Sequence, residues 1–574
     1  MSRFSHVVAC GFTLLALAAC GSPPAPPPAP AAMATLPSER LSRIVENYWN
    51  EHMALGNAIS PQFLADSLAV ERRFLAEVLA LPRGSLDANS KLTYDIFIWR
   101  RQLSIEGFTY PSELLPVNPF DAMPEQLARM AAATLQQPFK TPADYERWLR
   151  RIDRYVRWTQ QAIGNMRDGM RRGYTTPRPL VERMLPLLER LGEDTSANVF
   201  YVPMRTMPET IKDPERTRLG ARLGSATKDK LLPAYRALHD FLQHEYLPRA
   251  RTSLALTALP MGPSWYAYRI KRATGSLLTP NQIHSIGLAA VESIRVRMQP
   301  LLTGAPLAGA GAGGMRTAPN ADGGELLNAY RDLKAQTLAA LPTLFSAVPH
   351  SDFEIRPMAA FGEAETPLYY QPASPGDGTA DILYVNVGTV AARPTVVISD
   401  FLQQALPGHH LQFALQQERS DLPLFRRYGT EPAFVQGWGL YAASLGEELG
   451  LYRDDETKLG ALLGQMRCAV TLVVDTGLHA KGWTRAQALD YLRAQLAVDD
   501  TAANLLIDRY VAMPGDALAC KLGELKFQAL RTRAQQVLGA QFDIREFHTE
   551  ILKDGAMPLD ILEAKMQAWM DAKR

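Results

Sequence analysis

Apolar residues recur at helical spacing along almost the whole chain, and this pattern constrains the fold more than any other feature. In segments 63–79 and 148–156, large apolar side chains return every three or four residues, which is typical of amphipathic helices. Runs rich in β-branched and aromatic residues are short and bounded by turn residues. They are confined to 353–357, 368–371 and 382–387. The sequence therefore predicts a mainly α protein with one small β-sheet beside a helical core.

Length and charge limit the classes of function. The 574 residues exceed what one small core can organise, so about two to four subdomains are expected. The 61 basic and 59 acidic residues leave a net charge of +2. This balance argues against a general nucleic-acid or polyanion binder. No internal stretch reaches the roughly 18 uninterrupted apolar residues that a membrane span needs.

The N-terminus has the features of an export signal. Arg3 is the only charge before the apolar run 7–19, which ends in small residues. The Leu-Ala-Ala-Cys ending at Cys20 resembles a bacterial lipobox, which implies a signal peptide over 1–19 and lipidation of Cys20. A plain signal peptide with an incidental cysteine is the alternative. Residues 20–34 are proline-rich and predict an extended tether. Gly21 is not the aspartate of inner-membrane retention, so the resemblance implies an outer-membrane lipoprotein facing the periplasm.

Composition divides the remaining chain into three parts. Residues 35–300 predict an N-terminal helical region, and 325–574 contain the predicted sheet and further helices. Between them, residues 301–324 are mostly glycine, alanine and proline. This glycine- and alanine-rich segment cannot form a packed core and predicts a surface loop. Within the first part, the basic segment 147–172 predicts a solvated helix face. A patch for phosphate or lipid headgroups is the alternative.

The stretch 396–412 is the most informative for chemistry. An apolar helical pattern is interrupted by Pro407 and Gly408 and continues at once with His409 and His410. Proline removes a helix hydrogen bond and bends the chain. No His-Glu-x-x-His, Gly-x-Ser-x-Gly, Walker-type loop or paired-cysteine zinc pattern is found.

Several blocks together resemble one bacterial family, called domain of unknown function 885, which is grouped with the zincin-like metallopeptidases. The resemblance covers about residues 40–570. Its blocks include Leu-Pro-Met-Gly-Pro-Ser-Trp-Tyr at 259–266, Pro-Gly-His-His-Leu-Gln at 407–412, Gly-Trp-Gly-Leu-Tyr at 437–441, the segment 473–483, and 509–510 with 514–515. The family pattern has a His-Glu pair shortly before the proline, a histidine after Pro-Gly, and a later Glu-Gly-Trp. It implies two histidines and the later glutamate as zinc ligands, with the first glutamate as general base.

This chain departs from that pattern at three of the four positions. Gln403 stands at the first histidine, Gln404 at the general base and Gln436 at the later glutamate, while His409 is retained. A neutral amide cannot take a proton from water as a carboxylate does, and it is a poor zinc ligand. The resemblance therefore implies a peptidase-like protein without catalytic activity and without a bound metal or other cofactor.

Other polar and aromatic residues are candidates for a binding cleft. Asp475 and His479 stand at i and i+4 and predict either a pair near the former metal site or a structural pair. Arg509 and Tyr510 predict a carboxylate-binding group, with an ion pair to nearby Asp516 as the alternative. The other members of the predicted cleft are His409, His410, Trp438 and Tyr441.

Three functional hypotheses follow. The first is a silent lipoprotein whose cleft binds a peptide or an envelope partner. The second is an active zinc peptidase with a shifted metal site near His409, His479 and Asp475. The third is another kind of hydrolase that uses Cys520 or His409. The sequence leaves open whether Cys468 and Cys520 form a disulfide.

Overall fold

The computed structural model describes residues 36–54, 59–132, 139–302, 315–316, 323–358, 368–373, 380–387, 395–396, 398–496 and 498–574. The predicted signal peptide, Cys20 and the proline-rich tether lie outside these residues, as does nearly all of the glycine- and alanine-rich segment.

The described chain is mainly α with one three-stranded sheet, which confirms the predicted fold class. The α-helices are α1 Pro37–Ala54, α2 Pro61–Leu79, α3 Ala88–Gly107, α4 Met123–Ala131, α5 Pro142–Arg172, α6 Arg178–Gly192, α7 Val202–Arg205, α8 Glu215–Ser225, α9 Leu232–Phe241, α10 Gly262–Thr274, α11 Pro280–Met298, α12 Gly323–Ala340, α13 Ile398–Gln404, α14 His409–Glu418, α15 Leu424–Arg427, α16 Pro432–Ser444, α17 Asp455–Ala480, α18 Arg485–Gln495, α19 Asp500–Ala512, α20 Leu518–Leu538, α21 Ile544–Leu552 and α22 Leu559–Ala572. Two π-helical turns, Ala226–Leu231 and Leu242–Tyr246, flank α9.

The strands lie close to where the sequence predicts them. They are β1 Met315–Arg316, β2 Phe353–Pro357, β3 Leu368–Gln371, β4 Asp381–Val385 and β5 Thr395–Val396. β4 is the centre of the main sheet, parallel to β2 and antiparallel to β3. β1 and β5 form a separate antiparallel pair that the sequence did not predict. Because β3 is an edge strand, its outer side faces α13, which it contacts.

The longest helix, α5, has clear start and stop signals. Thr141 and Asp144 form a capping box at its N-terminus, and Gly173 ends it in the left-handed conformation with φ of 81°. Trp148, Ile152 and other large side chains bury one face of α5. The opposite face is polar, as the basic segment of the sequence predicts.

Both ends of the described chain contribute to the main core. Leu41 of α1 and Phe97 of α3 belong to the same buried cluster as Leu562 of α22, together with the sheet and helices α13 to α16. The buried guanidinium of Arg426 reinforces this junction: Nη1 donates to Asn89 Oδ1 at 2.8 Å, and Nη2 donates to the carbonyl of Asp554 at 2.8 Å. A second core is confined to the N-terminal helices around α5, α6 and α9.

Helix α17 runs through the C-terminal half and packs against α11 and α20. Among the described helices it alone is long and apolar enough to cross a membrane, and 78% of its apolar window is buried within the protein. Such burial is typical of a core helix. Cys468 of α17 and Cys520 of α20 form a disulfide, with α-carbons 6.0 Å apart.

Candidate functional site

The helix break at Pro407 and Gly408 is built from close backbone contacts. Helix α13 ends at Gln404, and α14 begins at His409. A Cβ atom on Gly408 would lie 1.9 Å from the carbonyl oxygen of Gln403, so only glycine fits here. Trp438 of α16 donates from Nε1 to the carbonyl of Pro407 at 3.0 Å. The break is therefore fixed both by its own backbone and by the neighbouring helix.

This break brings Gln403 and His409 together against α16. A Cβ atom on Gly439 would lie 2.7 Å from His409 Nε2 and 3.0 Å from Gln403 Cγ. On one regular helix, six positions would turn the two side chains about 120° apart. Interrupting the helix removes that constraint, and the two residues share one small space above Gly439.

His409 is held as a neutral imidazole. Burial lowers the pKa of His409 to about 4, although a hydrogen bond to the Val435 carbonyl acts in the opposite direction. Nε2 is buried and has no hydrogen-bond partner in the described residues, so Nδ1 is the nitrogen that donates to Val435. An unprotonated Nε2 is the form that a metal ligand or a general base requires.

The three glutamines of the family pattern have different surroundings. Gln404 accepts from the backbone N–H of Tyr370 in β3 at 3.4 Å, a long hydrogen bond, and Gln436 is exposed on α16, one turn before Gly439. Within the described part of the chain, no three His, Cys, Asp or Glu side chains are arranged to hold a metal ion. The side chain shown to share the space over Gly439 with His409 is therefore that of Gln403, an amide and not a charged ligand.

His410, unlike His409, contacts residues of the sheet. Its Nδ1 lies 3.1 Å from the hydroxyl of Tyr370 and 3.3 Å from Asp381 Oδ2. Burial raises the pKa of Asp381, but hydrogen bonds from His410 and from the backbone N–H of Ala373 outweigh it, and the pKa lies below its ordinary value. These contacts connect α14 to β3 and β4. Asp381 and Tyr370 were not among the predicted site residues, because sequence spacing gives no sign of a contact between a strand and a distant helix.

Asp475 and His479 lie on the same helix but have different partners. Asp475 accepts from Tyr266 at 2.5 Å and from the backbone N–H of Gly515 at 3.0 Å, and burial raises its pKa to about 7. His479 accepts at Nδ1 from the N–H of Leu256 at 3.0 Å, so its Nε2–H donates to the carbonyl of Tyr510 at 3.0 Å. Both ring nitrogens are used, and burial lowers the pKa of His479 to about 4.

The remaining predicted cleft residues are placed as follows. Trp438 and Tyr441 are buried in the main core, where the hydroxyl of Tyr441 donates to His548 Nε2 at 2.9 Å. Tyr510 is buried, and Arg509 is exposed beside the ring of Phe120. Asp516 pairs with Arg269 at 2.8 Å rather than with Arg509.

A cleft of about 930 Å³ opens between the N-terminal helices and the C-terminal half. Its walls come from α2, α3, α10, the start of α16 and the segment 511–516. Two ion pairs lie on these walls: Arg100 with Glu431 at 2.6 Å, and Arg269 with Asp516 at 2.8 Å. Glu431 precedes α16, so the cleft ends about one turn from the exposed Gln436. The sequence pointed only to the segment around 509–515, because the other walls meet through long-range packing.

Two solved structures resemble this fold along most of its length. A candidate lipoprotein from Colwellia psychrerythraea has a TM-score of 0.84 and 22% identity, covering 94% of this chain and 100% of that one. A candidate lipoprotein of unknown function from Shewanella oneidensis has a TM-score of 0.67 and 15% identity, with the same coverage. No curated protein matches the chain. A family described as "Bacterial protein of unknown function (DUF885)" matches residues 49–566. Since that match spans most of the sequence, the chain belongs to the DUF885 family.

Proposed function

We propose that this protein is a lipid-anchored envelope protein with a peptidase-like but catalytically silent site, and that its cleft binds a peptide segment of an envelope partner. The observation that carries the proposal is the presence of Gln403, Gln404 and Gln436 at the three positions where the family resemblance implies two metal ligands and a general base. The helix break, the Trp438 bond to Pro407 and the close packing of His409 on Gly439 are all present. The groups that would bind metal or take a proton from water are amides.

A single histidine does not hold zinc at useful affinity, because a catalytic zinc site needs three protein ligands. The alternative, an active peptidase with a shifted site, requires Asp475 and His479 as ligands. His479 has both ring nitrogens in hydrogen bonds to the backbone, and Asp475 is occupied by Tyr266 and Gly515. Metal binding by His479 would require one of its two backbone hydrogen bonds to break. The geometry therefore favours the silent site over the shifted one.

A peptide is the ligand that the cleft suits best. Its volume is within the range of small-ligand sites. Its walls carry two ion pairs, so positive and negative groups both face the cleft. Arg272 adds an exposed guanidinium from α10. A flexible chain with its own charges and amide groups can hydrogen-bond to these pairs, whereas a purely apolar ligand would remove water from them and offer no hydrogen bond in exchange.

The location of the protein is proposed from its N-terminus and its relatives. The basic start, the apolar run and Cys20 have the order of a lipoprotein signal. Both solved relatives are themselves candidate lipoproteins. We place the protein at the outer membrane, facing the periplasm.

Zinc content is the decisive test of the silent site. After dialysis, we expect the chain from Gly21 onward to retain less than about a tenth of an equivalent of zinc. The triple variant Gln403→His, Gln404→Glu, Gln436→Glu restores the ligand types, and we expect it to bind close to one equivalent. Its control, Gln160→His, Gln535→Glu, Gln536→Glu, makes the same changes at other positions and should bind none. Near one equivalent in the unaltered chain, measured by elemental analysis, would overturn the proposal.

Peptide binding is tested by photocrosslinking inside and outside the cleft. Benzoylphenylalanine replaces Phe108, a half-buried residue of the cleft wall, and in the matched control it replaces Phe542, which is equally half-buried elsewhere. With a pool of unstructured peptides of about ten residues, we expect adducts at position 108 well above those at 542. Equal labelling at both positions would contradict a peptide-binding cleft.

A further inference from the structure

Helix α5 has an excess of arginine that its own acidic residues do not balance. It contains eight arginines and four acidic residues. Every acid is already paired: Asp144 with Arg147, Glu146 with Arg218 and Arg222, Asp153 with Lys230, and Asp168 with Arg171 and Arg172. The acids of α5 are therefore occupied, partly by cations of neighbouring helices.

Three arginines of α5 remain unmatched. Arg150, Arg154 and Arg157 are exposed, and within the described part of the chain none of them has a hydrogen bond or an ion pair. At about 100° per residue, they lie within roughly 60° of one another, on the side opposite Trp148 and Ile152. They form one row of guanidinium groups along two turns, called here the α5 basic face. Because like charges at this spacing repel, the row costs stability unless something outside the chain compensates it.

Phosphate groups are the natural partner of such a row. Guanidinium groups bind phosphate oxygens in a bidentate manner, and each cation near an anionic membrane contributes to binding. The three arginines are exposed and line no described cavity, so the face fits an extended surface better than a small ligand. The chain as a whole carries only +2, so its overall charge attracts anionic surfaces weakly and the local row would have to supply the binding.

The proposed anchor would bring such a surface within reach. Leu36 lies sixteen positions after Cys20, and an extended proline-rich chain of that length spans at most about 50 Å. Asn165 of α5 donates to the carbonyl of Ile59, so α5 packs beside the α1–α2 end of the molecule. We propose that the α5 basic face docks on an anionic phospholipid surface and orients the protein on its membrane. The proximity of this face to the membrane rests on the lipid anchor proposed above.

Vesicle binding without the anchor tests the docking face directly. The probe is the chain from Gly21 onward with vesicles of phosphatidylcholine containing about a third phosphatidylglycerol. The triple variant Arg150→Gln, Arg154→Gln, Arg157→Gln should bind roughly 100-fold more weakly than the unaltered chain, and binding should fall as salt rises. The conservative variant with lysine at all three positions should keep most of the affinity, because the charge is retained.

The control triple Arg331→Gln, Arg453→Gln, Arg545→Gln removes the same charge from exposed positions on other helices and loops. We expect it to bind vesicles as the unaltered chain does. Equal loss in both triples, equal binding to vesicles of phosphatidylcholine alone, or preferential binding to DNA at the same salt concentration would overturn the proposal. None of these results depends on zinc or on the cleft, so docking can fail while the proposed function stands.

Discussion

At Gly408 two stretches of backbone approach so closely that no side chain fits between them. A methyl group there would overlap the carbonyl oxygens of Gln403 and Leu402, at 1.9 and 2.4 Å. The same contact places Gln403 beside His409, so this glycine determines the geometry of the candidate site. The sequence predicted which residue types form the site, since Pro407, Gly408 and His409 are adjacent. It could not predict that His409 is buried, because the burial depends on Gly439 of a different helix.

Gly408→Ala is expected to destabilise the protein by about 1–3 kcal/mol, since the added atom forces buried backbone apart. The measurement is urea unfolding with linear extrapolation. Gly164→Ala is the matched control: a Cβ atom at Gly164 of α5 meets nothing within 4 Å. There the change should stabilise the protein by about 0.5–1 kcal/mol through helix propensity. Equal midpoints for the two variants would contradict the close contact.

At the scale of elements, α17 holds a wall of the cleft through one buried carboxyl group. Asp475 accepts from the N–H of Gly515, and Gly515 lies in the segment 511–516 that lines the cleft. The sequence indicated that Asp475 and His479 share a helix face. It could not indicate Tyr266, Leu256 or Gly515 as partners, since these contacts join elements far apart in the chain. Local periodicity predicts which residues face inward, and tertiary packing decides what they meet.

Asp475 should make stability fall as the pH rises. Its pKa is about 7 in the folded protein and near 3.8 in an unfolded chain, so the folded state binds the proton more tightly. Its contribution is therefore greatest below about pH 4 and is lost as the pH rises to about 7. Asp475→Asn keeps an acceptor for Tyr266 and cannot ionise. Relative to this variant, we expect the unfolding free energy of the wild type to fall by a few kcal/mol as the pH rises from about 4 to about 7. Each unit of difference between the folded and unfolded pKa contributes roughly 1.4 kcal/mol.

Urea unfolding at pH 4.5 and pH 7.5 checks this expectation. The comparison is made between variants at each pH, because burial also lowers the pKa of His409, His479 and His548 to about 4, and these histidines titrate in both proteins. Asp490→Asn, at an exposed position, is the control and should show the same difference from wild type at both pH values. An unchanged difference between wild type and Asp475→Asn would contradict the raised pKa.

At the scale of the whole molecule, fold class was predictable and domain architecture was less so. Helical periodicity and three short β runs gave the class, and the strands Phe353–Pro357 and Leu368–Gln371 begin and end where the pattern places them. The main core, however, joins α1 and α3 to α22 across the boundary that composition indicated. Composition changes mark linkers, but they do not show which helices pack together. The cleft is a product of that packing and has no local signature.

Because the main core joins the first helices to the last one, it also determines when the first helices can finish folding. A chain that is exported, as proposed above, crosses the membrane from its N-terminus, so α1 to α3 would arrive first. Their apolar faces are completed by α22, and the carbonyl of Asp554 completes the hydrogen bonds of Arg426. The first helices to emerge therefore have no finished partner until the last helix has crossed. A chain cut short near its C-terminus would leave these early helices open to proteases, even with the proposed lipid anchor and the cleft residues intact.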